Sequence, residues 1–286
     1  MKKTISIIVA IALTGFLIYA ITFHKKEIPV EKPGKVIATS AYEKYFGAAP
    51  PVDKGTAYAF VIYFPLKKEP GKVVPFPFFT FDEGSIKKVA VERLLVGMDT
   101  GSYQGEFIQF SSGSRLIAIN DEQGTITVDL SKELNASAEA ATAHAIALTV
   151  SQFKGVKDIR LQVEGKESPL NALLKNANYS AVLQPSPPRL LSVTAMQDKG
   201  AKAIEEVNAF FDRPVDVKEL KLLSKDGQQF AGDMYHSAFN MAAVLKPKDP
   251  AQFKERMPIK VRWKVVDKLG RQAEGENVWL LEVKHH

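Results

Sequence analysis

The feature that most constrains this chain is an uncharged run of twenty residues near its N-terminus, Thr4–Phe23. At 1.5 Å per residue, a helix of that length extends about 30 Å, the thickness of the hydrocarbon core of a bilayer. Lys2 and Lys3 precede the run, and His24-Lys25-Lys26 follows it. The other interpretation is a buried core helix, but a terminal, charge-flanked run of spanning length favours a membrane helix.

We therefore predict that residues 1–24 form an uncleaved signal anchor, a single transmembrane helix that holds the protein in the cell membrane. The alternative is a cleaved signal peptide with its cut after Ala20. Signal peptides usually have a shorter apolar region and small residues before the cut, whereas Ile18 stands at the third position back. Both interpretations place the C-terminal domains outside the cytoplasm.

Composition excludes several classes of protein. Of the 286 residues, 45% are hydrophobic and 24% charged, which is typical of a folded chain. The chain has no cysteine, which excludes disulfides, thiol catalysis, a lipoprotein anchor and cysteine-ligated metal centres. Its 38 basic and 32 acidic residues leave a net charge of only +6, so we expect no nucleic-acid partner.

Residues 25–54 are rich in lysine, proline and small polar residues, and we predict a stalk between the membrane and the first domain. Four prolines are spread through the segment: Pro29, Pro33, Pro50 and Pro51. Tyr42, Tyr45 and Phe46 are the exception, and they predict a short ordered piece within the stalk.

Residues 55–184 are expected to form an α/β domain, because strand and helix patterns alternate along them. Thr56–Phe64 is a continuous apolar run typical of a strand buried on both faces. Proline confines the next strand to a sheet edge. The further predicted elements are an edge strand (73–81), a helix from the cap Ser85 to Gly97, a hairpin (116–120 and 125–130), an Ala-rich helix (137–153) and a strand (158–164).

Three motifs follow one another in this part of the chain: "RLLVGM", "FIQFSSGSRLIAINDEQGTITVDLSKEL" and, after an Ala-rich helix, "SQFKGVKDIRLQVEGK". In these motifs the chain resembles the GerMN domain of sporulation and spore-germination proteins. The similar region runs from about Thr56 to Leu170, although the Pro- and Phe-rich stretch 75–81 departs from the family pattern. The resemblance implies a non-enzymatic extracytoplasmic module that binds partners or assembles, including into rings or filaments.

Residues 185–286 are predicted to form an all-β sandwich. Pro185, Pro187 and Pro188 mark the boundary, because proline continues neither a helix nor a central strand. Hydrophobic and charged residues alternate strictly over 259–265, the pattern of a half-buried strand. The predicted strands are 189–195, 206–211, 217–223, 257–266 and 277–283, with turns at Asp226-Gly227, Leu269-Gly270 and Glu274-Gly275. The whole chain is thus expected to be α+β.

The second domain contains two characteristic segments, "VNAFFDRPVDVKELKLLSKDG" and "MPIKVRWKVVDKLGRQAEGENVWLLEV". Through them it resembles the immunoglobulin-like sandwich of CopC-like copper-resistance proteins, with matches at Val261, Trp263 and Gly275. The chain departs from the family where the resemblance places copper chemistry. Leu269-Gly270-Arg271 stands in place of Asp-Gly-His, and no histidine begins the domain.

Copper(II) prefers imidazole ligands and copper(I) thioethers, so histidine and methionine are the residues to consider. Asp233-Met-Tyr-His236 would bring three ligand types together if its side chains converged, whereas a surface strand with one ordinary histidine is the simpler interpretation. The other candidates are Met241, Met257, His285 and His286. We predict that no metal and no other cofactor is bound, because coordination needs several convergent ligands.

No catalytic residue is nominated. The sequence has no Walker A loop, H-E-x-x-H, G-x-S-x-G or dinucleotide motif. Two S-x-x-K matches, Ser85–Lys88 and Ser151–Lys154, lack the other elements of serine acyltransferases. His144 is expected on the exposed side of its helix, and Asp129 and Ser131 are expected to bond the backbone at a strand end. The carboxylates of Glu205-Glu206 and Asp121-Glu122 are expected to be solvated.

Three hypotheses follow. The first is a non-enzymatic, membrane-anchored envelope protein that binds protein or peptidoglycan partners in sporulation or germination, with homo-oligomerisation left open. The second is a CopC-like copper-binding protein. The third is an enzyme that modifies the cell wall through a site without a familiar motif.

Overall fold

The computed structural model describes residues 34–137, 140–174, 179–201 and 203–285. The predicted signal anchor, residues 1–24, lies outside these ranges. Within them, no helix is both long and apolar enough to cross a bilayer.

A three-stranded sheet forms the centre of the first hydrophobic core. Its order is β1 (Lys35–Ala38), β2 (Thr56–Pro65) and β3 (Val73–Thr80), with β1 parallel and β3 antiparallel to β2. Seven of the ten residues of β2 from Ala59 onward are buried without a break, as its continuous apolar run predicts. The proline-containing strand β3 lies at the sheet edge, and this prediction is also confirmed.

The predicted stalk is wrong for residues 34–54, because this segment belongs to the first core. β1 pairs with β2, and helix α1 (Ser40–Phe46) follows it with Thr39 as its N-cap. Tyr42, Tyr45 and Phe46 are 0%, 1% and 3% exposed. Burying three large aromatic rings favours folding by several kcal/mol, which outweighs the tendency of the surrounding prolines and lysines to stay extended in solvent.

A second sheet completes this part of the chain. Its order is β4 (Leu116–Glu122), β5 (Thr125–Leu130), β6 (Asp158–Val163) and β7 (Lys166–Glu167). The parallel strands β5 and β6 are connected through helix α3 (Ala140–Ser151), which contacts both β2 and β6. Helix α2 (Ile86–Val96) contacts β2 and β4, and the short α4 (Asn171–Leu174) packs on α3. We call this part the first lobe (residues 34–184).

Thr149 in the last turn of α3 and Gln152, the residue after the helix, take the place of a neighbouring strand along the part of β2 that β1 does not reach. The Gln152 Oε1 atom accepts from the Val61 N–H (2.8 Å), and its Nε2 donates to the Val61 carbonyl (2.6 Å). Gln152 Oε1 also accepts from the Thr39 hydroxyl, and Thr149 Oγ1 accepts from the Tyr63 N–H. Buried backbone groups on this edge therefore keep hydrogen-bond partners without a fourth strand.

Two sheets enclose the second hydrophobic core. One contains β10 (Val215–Leu223), β13 (Pro258–Asp267) and β14 (Gln272–Leu280), in that order. The other has the order β11 (Gly232–His236), β12 (Ala242–Pro247), β9 (Glu206–Phe211), β8 (Leu190–Gln197) and β15 (Glu282–His285). Their inward side chains, Phe211 and Trp263 among them, form the core of a β-sandwich. We call this part the second lobe (residues 185–285).

The sandwich differs from the sequence prediction in three places. The predicted strand 277–283 is divided between β14 and β15, which belong to different sheets. Glu274-Gly275 is not a turn but lies inside β14, where Gly275 faces the Trp263 ring and a Cβ atom would come within 3.0 Å of it. The strands β11 and β12 were not predicted, because neither presents the strict alternation that identifies β13. Short 3₁₀ turns lie at Gly101–Tyr103, Lys132–Ser137, Tyr179–Ala181, Ala238–Asn240 and Pro250–Gln252.

The expected fold class is confirmed at the level of a mixed α+β chain that is rich in sheet. The two hydrophobic cores belong to one compact unit that begins at Gly34. The boundary drawn at residues 184–185 falls between the two cores, in a stretch with no regular secondary structure.

The replacement Gln152→Ala tests the role of the helix side chain at the sheet edge. It leaves the buried N–H and carbonyl of Val61 without their partners, so we expect the free energy of unfolding to fall by about 2–4 kcal/mol. Denaturant unfolding of the intact chain measures the change. The control Gln104→Ala removes an exposed glutamine and should change stability by less than about 0.5 kcal/mol. Equal effects of the two replacements would contradict this role.

Candidate functional site at the junction of the two lobes

A buried ion pair lies where the lobes meet. Asp212 and Arg213 follow β9 in the second lobe and are 4% and 2% exposed. The guanidinium of Arg213 donates through Nε and Nη2 to the two oxygens of Asp212, at 3.0 and 2.9 Å. The first lobe joins this pair through Tyr103, whose hydroxyl donates to Asp212 Oδ2 at 2.6 Å.

Charge on the Arg213 guanidinium is maintained by its partners. Burial alone lowers its pKa, but the negative charge of Asp212, the hydrogen bonds to it and the more distant Asp267 outweigh that effect and raise the pKa. Burial also raises the pKa of the Tyr103 hydroxyl, and the adjacent Asp212 carboxylate raises it further. Tyr103 is thus a neutral donor and Arg213 a cation throughout the accessible pH range.

A second arginine extends the network from the turn between β13 and β14. Arg271 Nε donates to Asp267 Oδ2 at 2.6 Å, and its Nη2 donates to the Tyr45 carbonyl in α1 at 2.8 Å. Nη1 donates to the Pro185 carbonyl at 3.3 Å. At the position where the CopC resemblance places a histidine ligand, this chain therefore has a cation that binds the first lobe.

Arg189 connects the lobes on the other side of the ion pair. Its Nη1 donates to Glu106 Oε1 at 2.7 Å, and its guanidinium lies over the Tyr103 ring, 4.5 Å from the centroid. Gly101 contacts the second lobe directly with φ = 54°, and a Cβ atom there would overlap the Leu191 carbonyl oxygen. The 3₁₀ turn Gly101–Tyr103 thus requires glycine for a close backbone approach.

Beside this network the two lobes enclose an open cleft of about 540 Å³. Its walls are mainly aromatic and thioether side chains: Phe76, Phe78, Phe79, Met98, Phe239 and Met241. Arg93, Asp99 and Asp212 are the charged residues that line it. Pockets of about 300–1,000 Å³ with apolar walls and a few polar groups are typical of ligand sites, which favour domain boundaries. We therefore take this junction cleft as the candidate functional site.

Asp129 and Ser131 lie where the sequence predicted and bond the backbone as expected. Both carboxylate oxygens of Asp129 accept from the Gly165 N–H, at 3.0 and 3.1 Å. The Ser131 hydroxyl accepts from the Arg115 N–H at 3.1 Å. Neither residue is near the junction cleft, and their role is to fix the ends of β5.

The candidate metal ligands do not converge. Asp233–His236 forms the edge strand β11, where successive side chains point to opposite faces and Met234 and His236 share one face. Met241 lines the junction cleft, Met257 packs against the second core, and His285 lies on β15. His286 lies outside the described residues. In the part of the chain that the structure describes, no three His, Cys, Asp or Glu residues cluster as a metal site would require. That the protein binds no metal or other cofactor stays a prediction.

The remaining residues considered in the sequence lie away from the junction cleft. His144 is half-buried rather than exposed, because the helices and strands around α3 cover most of its circumference. The hydroxyl of Ser85 donates to Asp82, and that of Ser151 donates to the Leu148 carbonyl. Asp121 pairs with Lys87, and Glu206 accepts from the Tyr235 hydroxyl. None of these residues lines the junction cleft.

Comparison with known proteins finds a family match within the first lobe. Residues 61–169 match the family model Germane, described as "Sporulation and spore germination". The predicted GerMN resemblance is thereby confirmed, over about the range expected from the sequence. Among curated proteins, none is similar enough in sequence to count as a relative.

Solved structures similar to the chain include representatives of both predicted families. The first GerMN domain of the sporulation protein GerM from Bacillus subtilis is 20% identical, with 38% of this chain and 85% of that chain covered and a TM-score of 0.33. PcoC, a methionine-rich copper resistance protein from Escherichia coli, is 19% identical over 34% of this chain and all of that chain, with a TM-score of 0.25. CopC from Methylosinus trichosporium OB3b is 15% identical, with 32% of this chain and 88% of that chain covered and a TM-score of 0.22.

Sequence reasoning missed the junction and its cleft. Tyr103 lies 109 positions before Asp212, and no motif links it to the Asp212-Arg213 pair. One signal was present: adjacent acidic and basic residues directly after the apolar run "VNAFF" indicate a charged pair at the end of a buried strand. Charged residues that are buried at the end of a strand need partners, so such a pair indicates that another segment packs against it.

The replacement Tyr103→Phe tests the hydrogen bond across the junction. It removes a buried donor to a carboxylate, so we expect the free energy of unfolding to fall by about 1.5–3 kcal/mol. Tyr42→Phe is the matched control, since Tyr42 is equally buried in the first lobe and its hydroxyl has no partner among the described residues. The control should not lower stability in the same denaturant titration, because it removes a buried hydroxyl that has no hydrogen bond to lose. A Tyr103→Phe protein as stable as the control would show that the bond contributes nothing.

Proposed function

We propose that this protein is a non-enzymatic, membrane-anchored component of the bacterial envelope. Its two lobes act outside the cytoplasm by binding or assembling with protein or peptidoglycan partners during sporulation or germination. The observation that carries the proposal is the match of residues 61–169 to a family described by that process.

Two further features support the proposal. The uncharged run Thr4–Phe23 has the length and flanking charge of a signal anchor, which would deliver the lobes across the membrane. The junction cleft has the size and the apolar walls of a binding site rather than a constellation of nucleophile, base and oxyanion donors.

Copper binding, the second hypothesis, is not favoured by the side chains present. Arg271 occupies the position of the expected histidine, and its three guanidinium nitrogens bond Asp267 and the backbone of Tyr45 and Pro185. A guanidinium has no lone pair to offer a metal ion. The sandwich of the second lobe is thus proposed to act through its surface and its junction with the first lobe.

Protease treatment of intact cells tests the predicted location. In cells that produce the full chain, protease added outside should remove the C-terminal lobe, as followed with an antibody to residues 185–286. The physical reason is that the anchor leaves everything after it on the outer side of the membrane. Where an outer membrane or thick wall blocks the protease, cells stripped of that layer are used.

A variant that lacks residues 4–23 is the control, and it should stay in the cytosol and be protected together with a cytosolic marker. Protection of the full-length chain in cells whose marker is also protected would contradict the location. Release of soluble fragments from purified peptidoglycan by the intact protein would contradict the non-enzymatic part of the proposal.

A further inference from the structure

We propose that the junction cleft binds an anionic amphiphile, a molecule with an acyl or aromatic body and one negatively charged group. The proposal does not depend on the cellular location or on the process inferred above. It follows from the walls of the cleft, from the charges at its rim and from the strand edge that borders it.

The walls present a preformed apolar surface. The rings of Phe79 in the first lobe and Phe239 in the second stack at 4.2 Å between centroids and 8° between planes. Phe81 is 58% exposed, and its ring centroid lies 5.6 Å from that of Phe239. Val96 is 72% exposed and lies at the end of α2 beside the cleft. Exposed apolar side chains next to an apolar cavity mark a surface that a ligand would cover.

The loop that carries Phe239 is held in a strained conformation. Phe239 has φ = 60° and Asn240 has φ = 52°, which is unusual for a bulky aromatic residue. The loop is closed by bonds from the Ser237 N–H to the Ala242 carbonyl (2.9 Å) and from the Ala242 N–H to the Ser237 hydroxyl (2.8 Å). Strain of this kind persists where the surroundings fix it and is common at ligand sites. Here it holds one ring in place across the junction.

One positively charged side chain at the cleft, Arg93, is available to a ligand with a negative group. Both Asp212 oxygens are bonded to Arg213 and neighbouring donors, and Asp99 Oδ1 accepts from the Gly105 N–H at 2.6 Å. Arg93 is exposed and has no hydrogen-bond or ion-pair partner among the described residues. Of the charged groups that line the cleft, the Arg93 guanidinium is thus the one left to bind a carboxylate, sulfonate or phosphate.

The strand edge beside the cleft is unsuited to an added peptide strand. Leu183 donates its N–H to the Val73 carbonyl, which shows that the odd-numbered residues of β3 face the free edge. Pro75 and Pro77 are the next two odd-numbered residues, and neither has an N–H to donate. A peptide would therefore lose alternate ladder bonds there, whereas an amphiphile needs only the apolar walls and Arg93.

Equilibrium dialysis with radiolabelled decanoate tests the proposal. The full-length protein is reconstituted in zwitterionic lipid nanodiscs, and empty nanodiscs give the partition into lipid that is subtracted. We expect saturable binding of decanoate at one site per chain, and weaker binding of uncharged decanol. Arg93→Gln should weaken decanoate binding at least tenfold and leave decanol binding unchanged.

Two variants make the result specific. Lys88→Gln removes one positive charge from the same helix, away from the cleft, and should leave decanoate binding within twofold. Phe239→Gly removes the ring at a position where glycine accepts the positive φ without strain, so it should weaken decanoate and decanol alike while the protein stays folded. No saturable binding by the wild-type chain, or equal effects of Arg93→Gln and Lys88→Gln, would overturn the proposal.

Discussion

The ion pair of Arg213 with Asp212 is the interaction on which the arrangement of this protein depends. Both groups are buried at a boundary between two hydrophobic cores, where an unpaired charge would destabilise the fold by about 3–5 kcal/mol. Both lobes contribute to the surroundings of the pair: Tyr103 of the first lobe donates to Asp212, and Asp267 of the second lobe lies 3.7 Å from Arg213 Nη1 as an ion-pair partner that makes no hydrogen bond to it. If the lobes separated, Asp212 would lose its shortest hydrogen bond, the one donated by Tyr103. The pair thus makes the two lobes depend on each other, and the cleft between them has a defined shape.

Much of the fold could be predicted because local patterns there agree with the tertiary structure. The continuous apolar run of β2, the prolines of β3 and the alternation of β13 each identify a strand and its place in a sheet. Segment 34–54 shows the limit of this reasoning. Its lysines and prolines are typical of a solvated stalk, but three buried aromatic rings and a parallel pairing with a strand 21 residues later decide its structure. Pairing between distant segments leaves little trace in local composition.

The junction was beyond prediction for the same reason. Tyr103 and Asp212 are separated by 109 positions, and Arg271 reaches a carbonyl 226 positions away. The GerMN resemblance predicted a family match within the first lobe, and the CopC resemblance drew attention to position 271, where arginine stands in place of the expected histidine. The resemblance did not predict that Arg271 makes a contact between the lobes. The cleft likewise joins distant segments, because its walls come from β3 and α2 on one side and from the strained Phe239 loop on the other.

Differential scanning calorimetry of the intact chain, compared with its Arg213→Met variant, tests most directly whether the buried network unites the lobes. The account predicts one cooperative transition for the wild-type chain, with equal calorimetric and van't Hoff enthalpies. In the variant, two buried carboxylates lose their common partner, and the lobes should unfold in two separate steps. Two independent transitions in the wild-type protein, or an unchanged single transition in the variant, would contradict the central role given to this ion pair.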